Sequence, residues 1–321
     1  MTGQRTYWHL EGRGRVPNAY EIATTRLLYY REHGFAVPAP IAGWYERYQA
    51  GSRLQGGFRT FEDPRLTTYA SYVAEQQERE AFAERIVRSI AETDYDRGLD
   101  PDWVSVLEAV LPVLRFPCQG LHMLAAYLGH MAPEGRLVVA CAFQAMDELR
   151  RVQRLAQRMR QLQNERAGFG VDSRRAWQEG SAWQPLRRVL EQLLVTYDFG
   201  ESAVATLLVL KPGFDALFMK AFAQLAAERG DRLLLELFSS LDQDCRWHGA
   251  WSDAFIDVAL IERPQNAAPI REWLGRWWPE VRVALRALIE PWGLSSERAG
   301  RVLTEIEVAG AARWAALGVE L

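Results

Sequence analysis

The chain has 321 residues, of which 49% are apolar and 25% charged, with 38 basic against 41 acidic side chains for a net charge of −3. A chain of this length buries roughly three quarters of its unfolded surface when it folds around one core. The near-balanced charge excludes the basic footprint of a nucleic-acid binder or a membrane-surface protein. In chain order, residues 1–65 stand apart, with eight of the 24 glycines, Pro17, Pro38, Pro40 and Pro64, and aromatics such as Tyr7, Trp8, Tyr20, Trp44 and Phe61. So many aromatics are foreign to a disordered tail. The segment therefore lies against something, either as a strap across its own core or as an arm on a neighbouring subunit.

From residue 66 onward the pattern is helix after helix. The apolar periodicity predicts helices over 66–93, 102–115, 118–131, 134–165, 185–210, 214–228, 231–262, 269–290 and 295–318. Breaks are expected at GLDPD (98–102), MAPEG (131–135), GFGVDS (168–173), KPGFD (211–215) and PQNAAP (264–269). Strand-type alternation and Asn-Gly hairpin turns are absent, and no internal repeat suggests a solenoid. Domain organisation is accordingly an N-terminal arm over 1–65 and one helical domain over 66–321. The longest apolar runs, such as AVATLLVL at 203–210, are far below the roughly 18 residues that span a bilayer. MTGQRTYWHLEGRGR lacks the apolar region of a signal peptide.

Two helices carry seams with strict 4-3-4-3 spacing: Val138, Ala142, Ala145, Leu149, Val152, Ala156 and Met159 in one, and Leu234, Phe238, Leu241, Cys245, His248, Ser252, Phe255 and Ala259 in the other. Such seams suit near-antiparallel packing inside a bundle, and each helix spans on the order of 45 Å. Cys118, Cys141 and Cys245 are odd in number and widely separated, which points to reduced thiols in a cytoplasmic protein. The twelve tryptophans fit a large core or an obligate interface.

Helix bundles build carboxylate-bridged di-iron sites from one Glu on each of two helices and a Glu-x-x-His on each of two more. The five histidines (His9, His33, His122, His130, His248) are preceded at three positions by Thr6, Tyr30, Gln119, Tyr127 and Cys245, so no Glu-x-x-His exists. A di-iron site with the usual ligands is excluded. Glu148 and Arg151 share a helix face: they form either an ion pair in a former metal cavity or a solvated helix flank. Asp244 and His248 lie one turn apart. They mark either an atypical metal site or a core histidine hydrogen-bonded to Asp244.

Several stretches then stop being generic. They are TYWHL at 6–10 followed by Arg15, Pro17, Tyr20, Glu21 and Ile22; FEDPRLTTYASY at 61–72; MLAAYLGHMAP at 123–133; AWQPLRRVLEQLLVTYDFGE at 182–201 with LVLKP at 208–212; and WLGRWWP at 273–279. In this order, across almost the whole chain, they resemble the β subunit of the hydroxylase in bacterial multicomponent di-iron monooxygenases, of the toluene monooxygenase type. FEDPRLTTYASYVAEQQERE is also similar to alkane- and alkene-oxidising relatives.

The resemblance implies an all-α, ferritin-like bundle with the di-iron centre in a separate α subunit and no cofactor in this chain. It implies an (αβγ)2 hydroxylase served by a small effector protein and a ferredoxin or reductase. Carried onto this sequence, Glu148 and Arg151 would occupy one Glu-x-x-His position and Asp244 and Trp247 the other, with Glu201 near a third carboxylate position and Glu148 buried. Tyr7, Trp8, His9, Leu10, Pro17 and Tyr20 would make subunit contacts. The expected role is structural, in an enzyme that hydroxylates or epoxidises small hydrocarbons. The competing readings are an independent ferritin-like oxidase using Glu148, Glu201, Asp244 and His248 as atypical ligands, and a helical binding module for a small apolar ligand.

Overall fold

The computed structural model describes residues 10, 15–28, 38–91 and 94–321, and the described residues contain helices and loops but no strand. Short α1 (Ala19–Thr24) opens on a capping box in which Asn18 and Glu21 bond each other's backbone N–H. It is followed by α2 (Ala39–Tyr45), which continues as a π-helical turn over Glu46–Ala50. The bundle then runs through α3 (Tyr69–Ala91), α4 (Pro101–Val110), α5 (Arg115–Met131), α6 (Gly135–Glu165), α7 (Ser173–Glu179) and α8 (Gln184–Leu194). It closes with α9 (Phe199–Glu228), α10 (Arg232–Glu262), α11 (Ala267–Ile289) and α12 (Ser296–Ala316).

Most starts follow from local chemistry. Asp100, Asp198, Asp231 and Ser295 each accept a backbone N–H two or three positions into their helix, filling donors that the first turn leaves unpaired. Asp231 does more: its other oxygen takes the Trp103 indole N–H at 3.1 Å, tying the start of α10 to α4.

Helices α5, α6, α9 and α10 form the centre. Around it, α3 lies against α10 and reaches α6 through side-chain hydrogen bonds, α8 packs on α5 and α11, α11 covers α9, and α12 runs along the outside of α9. Two expected boundaries differ. The predicted helix 185–210 is broken at residues 195–198, where Asp198 caps a new start. Conversely, KPGFD does not end a helix: Phe199–Glu228 is one 30-residue helix. Pro212 is tolerated because the helix widens into π turns on either side, Ala205–Leu210 and Ala216–Phe222. The carbonyls thereby freed find partners on α12. Trp314 Nε1 donates to Leu208 O at 3.0 Å and Arg313 Nη1 to Leu207 O at 3.2 Å. This helix and Pro101–Met131 are long and apolar enough to cross a membrane by composition, yet their apolar windows are 89% and 61% buried within the fold.

The two seams part company. Every member of the α10 seam is buried, as expected. Of the α6 seam only Ala145 is buried; Ala142 and Leu149 are exposed and the rest half-buried. The buried side of α6 instead carries Arg136, Gln144, Asp147, Glu148, Arg150, Arg151, Arg154 and Arg158. Periodicity located the stripe correctly but not its direction, because these guanidinium groups are drawn inward by carboxylates that lie far away in sequence.

The described part of the N-terminal segment is a strap. Leu54, Phe58 and Phe61 join the same core as the helices. Asn266 on the α10–α11 turn pairs with the Gln55 backbone through both amide atoms. Tyr20, expected at a subunit contact, is instead buried in this chain. Its hydroxyl accepts the Asp63 N–H at 3.0 Å, and Arg136 stacks over its ring. Leu10 is likewise buried and Pro17 half-buried, while Tyr7, Trp8 and His9 lie outside the described residues.

Candidate functional site

At the centre of the bundle four charges meet with almost no solvent. Glu148 and Arg151 come from α6, and Lys211 and Asp215 from α9, each less than a tenth exposed. Both pairs are one turn apart on their helix, so each helix presents one cation and one anion to the other. Lys211 Nζ bridges Glu148 Oε1 and Asp215 Oδ2, 2.7 Å from each. Arg151 Nη1 lies 3.0 Å from Asp215 Oδ1 and 3.1 Å from Glu148 Oε2. The second contact is electrostatic, since Glu148 Oε2 has no hydrogen-bond donor. Helix α10 completes the ring: Arg151 Nη2 donates to Cys245 Sγ at 2.7 Å.

Two buried cations facing two buried anions make the quartet electroneutral, which is what allows it in a dry interior. Burial alone would raise the Asp215 carboxyl, but Lys211 and Arg151 overcome it and hold Asp215 below its ordinary value. Burial would likewise lower Lys211, but Asp215 and Glu148 hold its ammonium above the ordinary range. The thiols are quiet. Burial pushes Cys118 on α5 up to about 12, against the pull of nearby Arg151, and raises Cys245 well above its ordinary value. Neither is a thiolate, so neither is a nucleophile.

A second polar cluster lies beside the first. Asp147 Oδ1 accepts from the Tyr72 hydroxyl and from Gln76 Nε2, both at 2.7 Å, and its other oxygen meets His248 Nε2 at 2.9 Å. Burial, then the neighbouring Lys211 and Arg151, keeps His248 neutral, with its pKa well below the usual value. Burial and the Asp244 charge push Asp147 well up. The partner of His248 is thus Asp147, not the expected Asp244. Asp244 faces α3 and α6, pairing with Arg79 and with Arg150 Nη1 at 2.7 Å.

Further along α6, Arg154 pairs with Glu80 and Arg158 with Asp96. Helix α3 is held by this polar ladder more than by apolar packing, since Tyr72 and Ala83 are its buried residues among those described. A cleft of about 420 Å³ between α9, α10 and α12 reaches the cage at Lys211, Asp215, Cys245 and His248.

The sequence-predicted positions scatter accordingly. Glu148 and Arg151 sit in the cage. Trp247 does not: its indole N–H donates to Asp63 at 2.8 Å and Arg65 covers its ring at 3.7 Å. On α10 the i, i+3 pair facing the cage is Cys245 and His248, one residue later than Asp244 and Trp247. Glu201 is bound by Arg276 at 2.7 Å and by Trp277 Nε1 at 3.0 Å. It stands fourteen residues before Asp215 on α9, about 21 Å away along the axis.

Lys211 and Asp215 were missed because KPGFD reads as a turn. A lysine inside the apolar run ATLLVLKPGFDALF, with an aspartate four residues on, was the available signal. The cage does not fit a pair of iron ions. It offers two carboxylates where four are needed, and its centre is filled by an ammonium and a guanidinium. Among the described residues no group of three or more His, Cys, Asp or Glu is placed to hold a metal ion.

Fold and centre together define a ferritin-like helical bundle whose interior, built like a metal-binding bundle, is closed by ion pairs. Comparison with known proteins places it more narrowly. Residues 44–263 match the sequence model of the Methane/Phenol/Alkene Hydroxylase family. The chain is 30% identical over 293 residues, 89% of each chain, to the hydroxylase component subunit beta of the toluene-4-monooxygenase system of Ectopseudomonas mendocina. A solved structure of toluene 4-monooxygenase with toluene in its resting active site superimposes with a TM-score of 0.84 at 30% identity, covering 89% of this chain and 97% of that one. The phenol hydroxylase of Pseudomonas sp. OX1 superimposes with a TM-score of 0.86 at 18% identity, covering 99% and 96%, a likeness that concerns the fold alone. The chain belongs to the Methane/Phenol/Alkene Hydroxylase family.

Proposed function

We propose that this chain is the non-catalytic β-type subunit of a multicomponent di-iron monooxygenase hydroxylase. The cage carries this reading. Four central helices bring in Cys118, Glu148 with Arg151, Lys211 with Asp215, and Cys245 with His248. That is the helix arrangement and i, i+3 spacing of a di-iron bundle. The charges that two metal ions would supply are here supplied by Lys211 and Arg151, fixed to the chain. The cage is the counterpart of a di-iron site, kept as a rigid centre after its ligands changed. The iron and the hydrocarbon pocket belong to a separate α subunit, in an (αβγ)2 assembly supplied with electrons by a ferredoxin or reductase and adjusted by a small effector protein, in the cytoplasm.

The independent oxidase reading loses support from the same residues. Of its four ligands, Glu148 is engaged by Lys211 and Arg151, His248 by Asp147, Asp244 by two arginines, and Glu201 lies about two nanometres off.

The test is reconstitution. Co-expressed with the hydroxylase chain that carries two Glu-x-x-His helices, and given reductase, effector, NADH and oxygen, this chain supports oxidation of a small hydrocarbon such as toluene. Turnover by this chain without that second chain would overturn the proposal.

A further inference from the structure

The cleft between α9, α10 and α12, about 420 Å³, is of a size that holds a small organic molecule. Its floor is buried: Lys211 and Asp215 from α9 and Cys245, His248 and Ser252 from α10 each expose less than a tenth of their surface. Lys220 and Arg246 stand exposed at its mouth. Arg313 from α12 ties the three helices together around it, donating to Asp253 at 2.7 Å, to Leu207 O at 3.2 Å and to Gly249 O at 3.3 Å.

Hydrogen-bonding capacity is left over on this lining. His248 turns Nε2 to Asp147 at 2.9 Å, and its Nδ1 meets no partner. Asp242 takes Arg246 Nε on Oδ2 at 2.8 Å, and its Oδ1 likewise meets none. Both side chains are more than nine-tenths buried. Lys211 spends two of its three N–H groups, on Glu148 and Asp215. Buried polar atoms are nearly always paired in folded proteins, so unpaired ones on side chains that border a cleft point to a molecule bound in it.

The charges say what kind of molecule. Lys211, Lys220, Arg246 and Arg313 line the cleft with Asp215, Asp242 and Asp253, four cations against three anions. The surplus lies at the mouth. Lys220 has no ion pair or hydrogen bond among the described residues, and Arg246 engages only Nε, which leaves both Nη groups open. A lysine and a guanidinium edge at one mouth suit a carboxylate. A phosphate would bring a second negative charge toward Asp242 and Asp253. Pro212, Ala216 and Ala250 add apolar wall. At the floor, His248 Nδ1 is matched by a hydroxyl, which donates or accepts and so fits either tautomer of the neutral imidazole.

We propose that this cleft is a binding site for a small monocarboxylic acid with an apolar body and a hydroxyl at its far end. The carboxylate lies against Lys220 and Arg246, and the hydroxyl reaches His248 Nδ1. Every group involved belongs to this chain, so the site stands independently of the subunit reading.

The experiment is a calorimetric titration of para-hydroxybenzoate into the full-length chain, which takes up one molecule. Benzoate, which leaves His248 Nδ1 unmatched, and para-hydroxybenzyl alcohol, which lacks the carboxylate, each bind about tenfold more weakly or worse. Inorganic phosphate does not compete. The double variant Lys220→Gln with Arg246→Gln weakens para-hydroxybenzoate about tenfold or more, whereas Arg160→Gln and Arg232→Gln, at exposed arginines elsewhere, leave it unchanged. Circular dichroism of the variants shows unaltered helix content. In nitrogen NMR spectra of histidine-labelled chain, para-hydroxybenzoate shifts the His248 Nδ1 resonance and benzoate does not. No saturable binding of para-hydroxybenzoate, or undiminished binding by the double variant, would overturn the proposal. Phosphate binding as tightly would make the mouth a general anion site and overturn the carboxylate assignment. Binding that leaves the His248 resonance in place would overturn the placement of the hydroxyl.

Discussion

The two sides of α6 depart from the usual amphipathic helix, because charged side chains share the inward side with apolar ones. Its inward side carries five arginines, an aspartate and a glutamate, each matched by an opposite charge or a hydrogen-bonding side chain brought from another element. Its outward side carries the uncharged stripe Val139, Ala142, Met146, Leu149, Gln153 and Ala156, half-buried or exposed throughout. The contrast teaches that burial in this fold is set by complementarity rather than by hydrophobicity alone. Charges can be interior when each is matched by an opposite charge or a hydrogen bond.

The largest effect expected from breaking that contrast is on the inner side. Arg151→Met leaves Asp215 and Glu148 with Lys211 alone, and costs about 3–5 kcal/mol in chemical denaturation because a buried negative charge loses its partner. Replacing the whole quartet together (Glu148→Leu, Arg151→Met, Lys211→Met, Asp215→Leu) recovers most of that loss, since no desolvated charge remains. A quadruple variant less stable than Arg151→Met would show that the charges contribute something beyond mutual neutralisation.

Next in size is the pH dependence of the cage. Asp215 is held below its ordinary value of 3.8, so its contribution is present above that pH and is lost as the pH falls through the lower folded value. The stability gap between the unaltered chain and Asp215→Asn, read from urea midpoints, therefore narrows as the pH falls below 3.8. Lys211 acts with the opposite sign. Held above its ordinary value of 10.5, it contributes below that pH, and the contribution is lost as the pH rises through the folded value.

A smaller effect is expected where the inner ladder meets solvent. Glu80 is partly exposed and pairs with Arg150 and Arg154, so Glu80→Gln costs about 1 kcal/mol. Its clearest signature is faster hydrogen exchange along α3, which this ladder fastens to the body. The smallest effect is on the outer side. Leu149→Ala changes the stability of the isolated chain by no more than about 0.5 kcal/mol.

Much of this architecture was legible in the sequence. The all-α class, the long helices now numbered α6 and α10, and the turn at PQNAAP follow from periodicity and turn residues. The lack of any Glu-x-x-His follows from a census of five histidines. The direction of α6 was not legible, because a seam spaced at 3.5 residues reports that a helix packs against something, not whether that something is in the same chain. The cage was half legible. Glu148 and Arg151 stand in one helix turn and could be paired by spacing. Their partners Lys211 and Asp215 are some sixty residues away, and Pro212 and Gly213 between them carry the composition of a turn. The one-residue displacement from Asp244 and Trp247 to Cys245 and His248 is a rotation of about 100°, which spacing within a single helix does not fix. The described strap over residues 51–63 shows the same limit: its aromatics told that it was packed, not against what.

The central claim is that two tethered cations hold the place of metal ions in this bundle. Metal analysis of the isolated chain, refolded or expressed with excess ferrous iron, tests it most directly. Iron is expected far below one ion per chain, unchanged in Arg151→Met, because Lys211 remains between the carboxylates. About two irons per chain, the occupancy of a di-iron bundle, would contradict it.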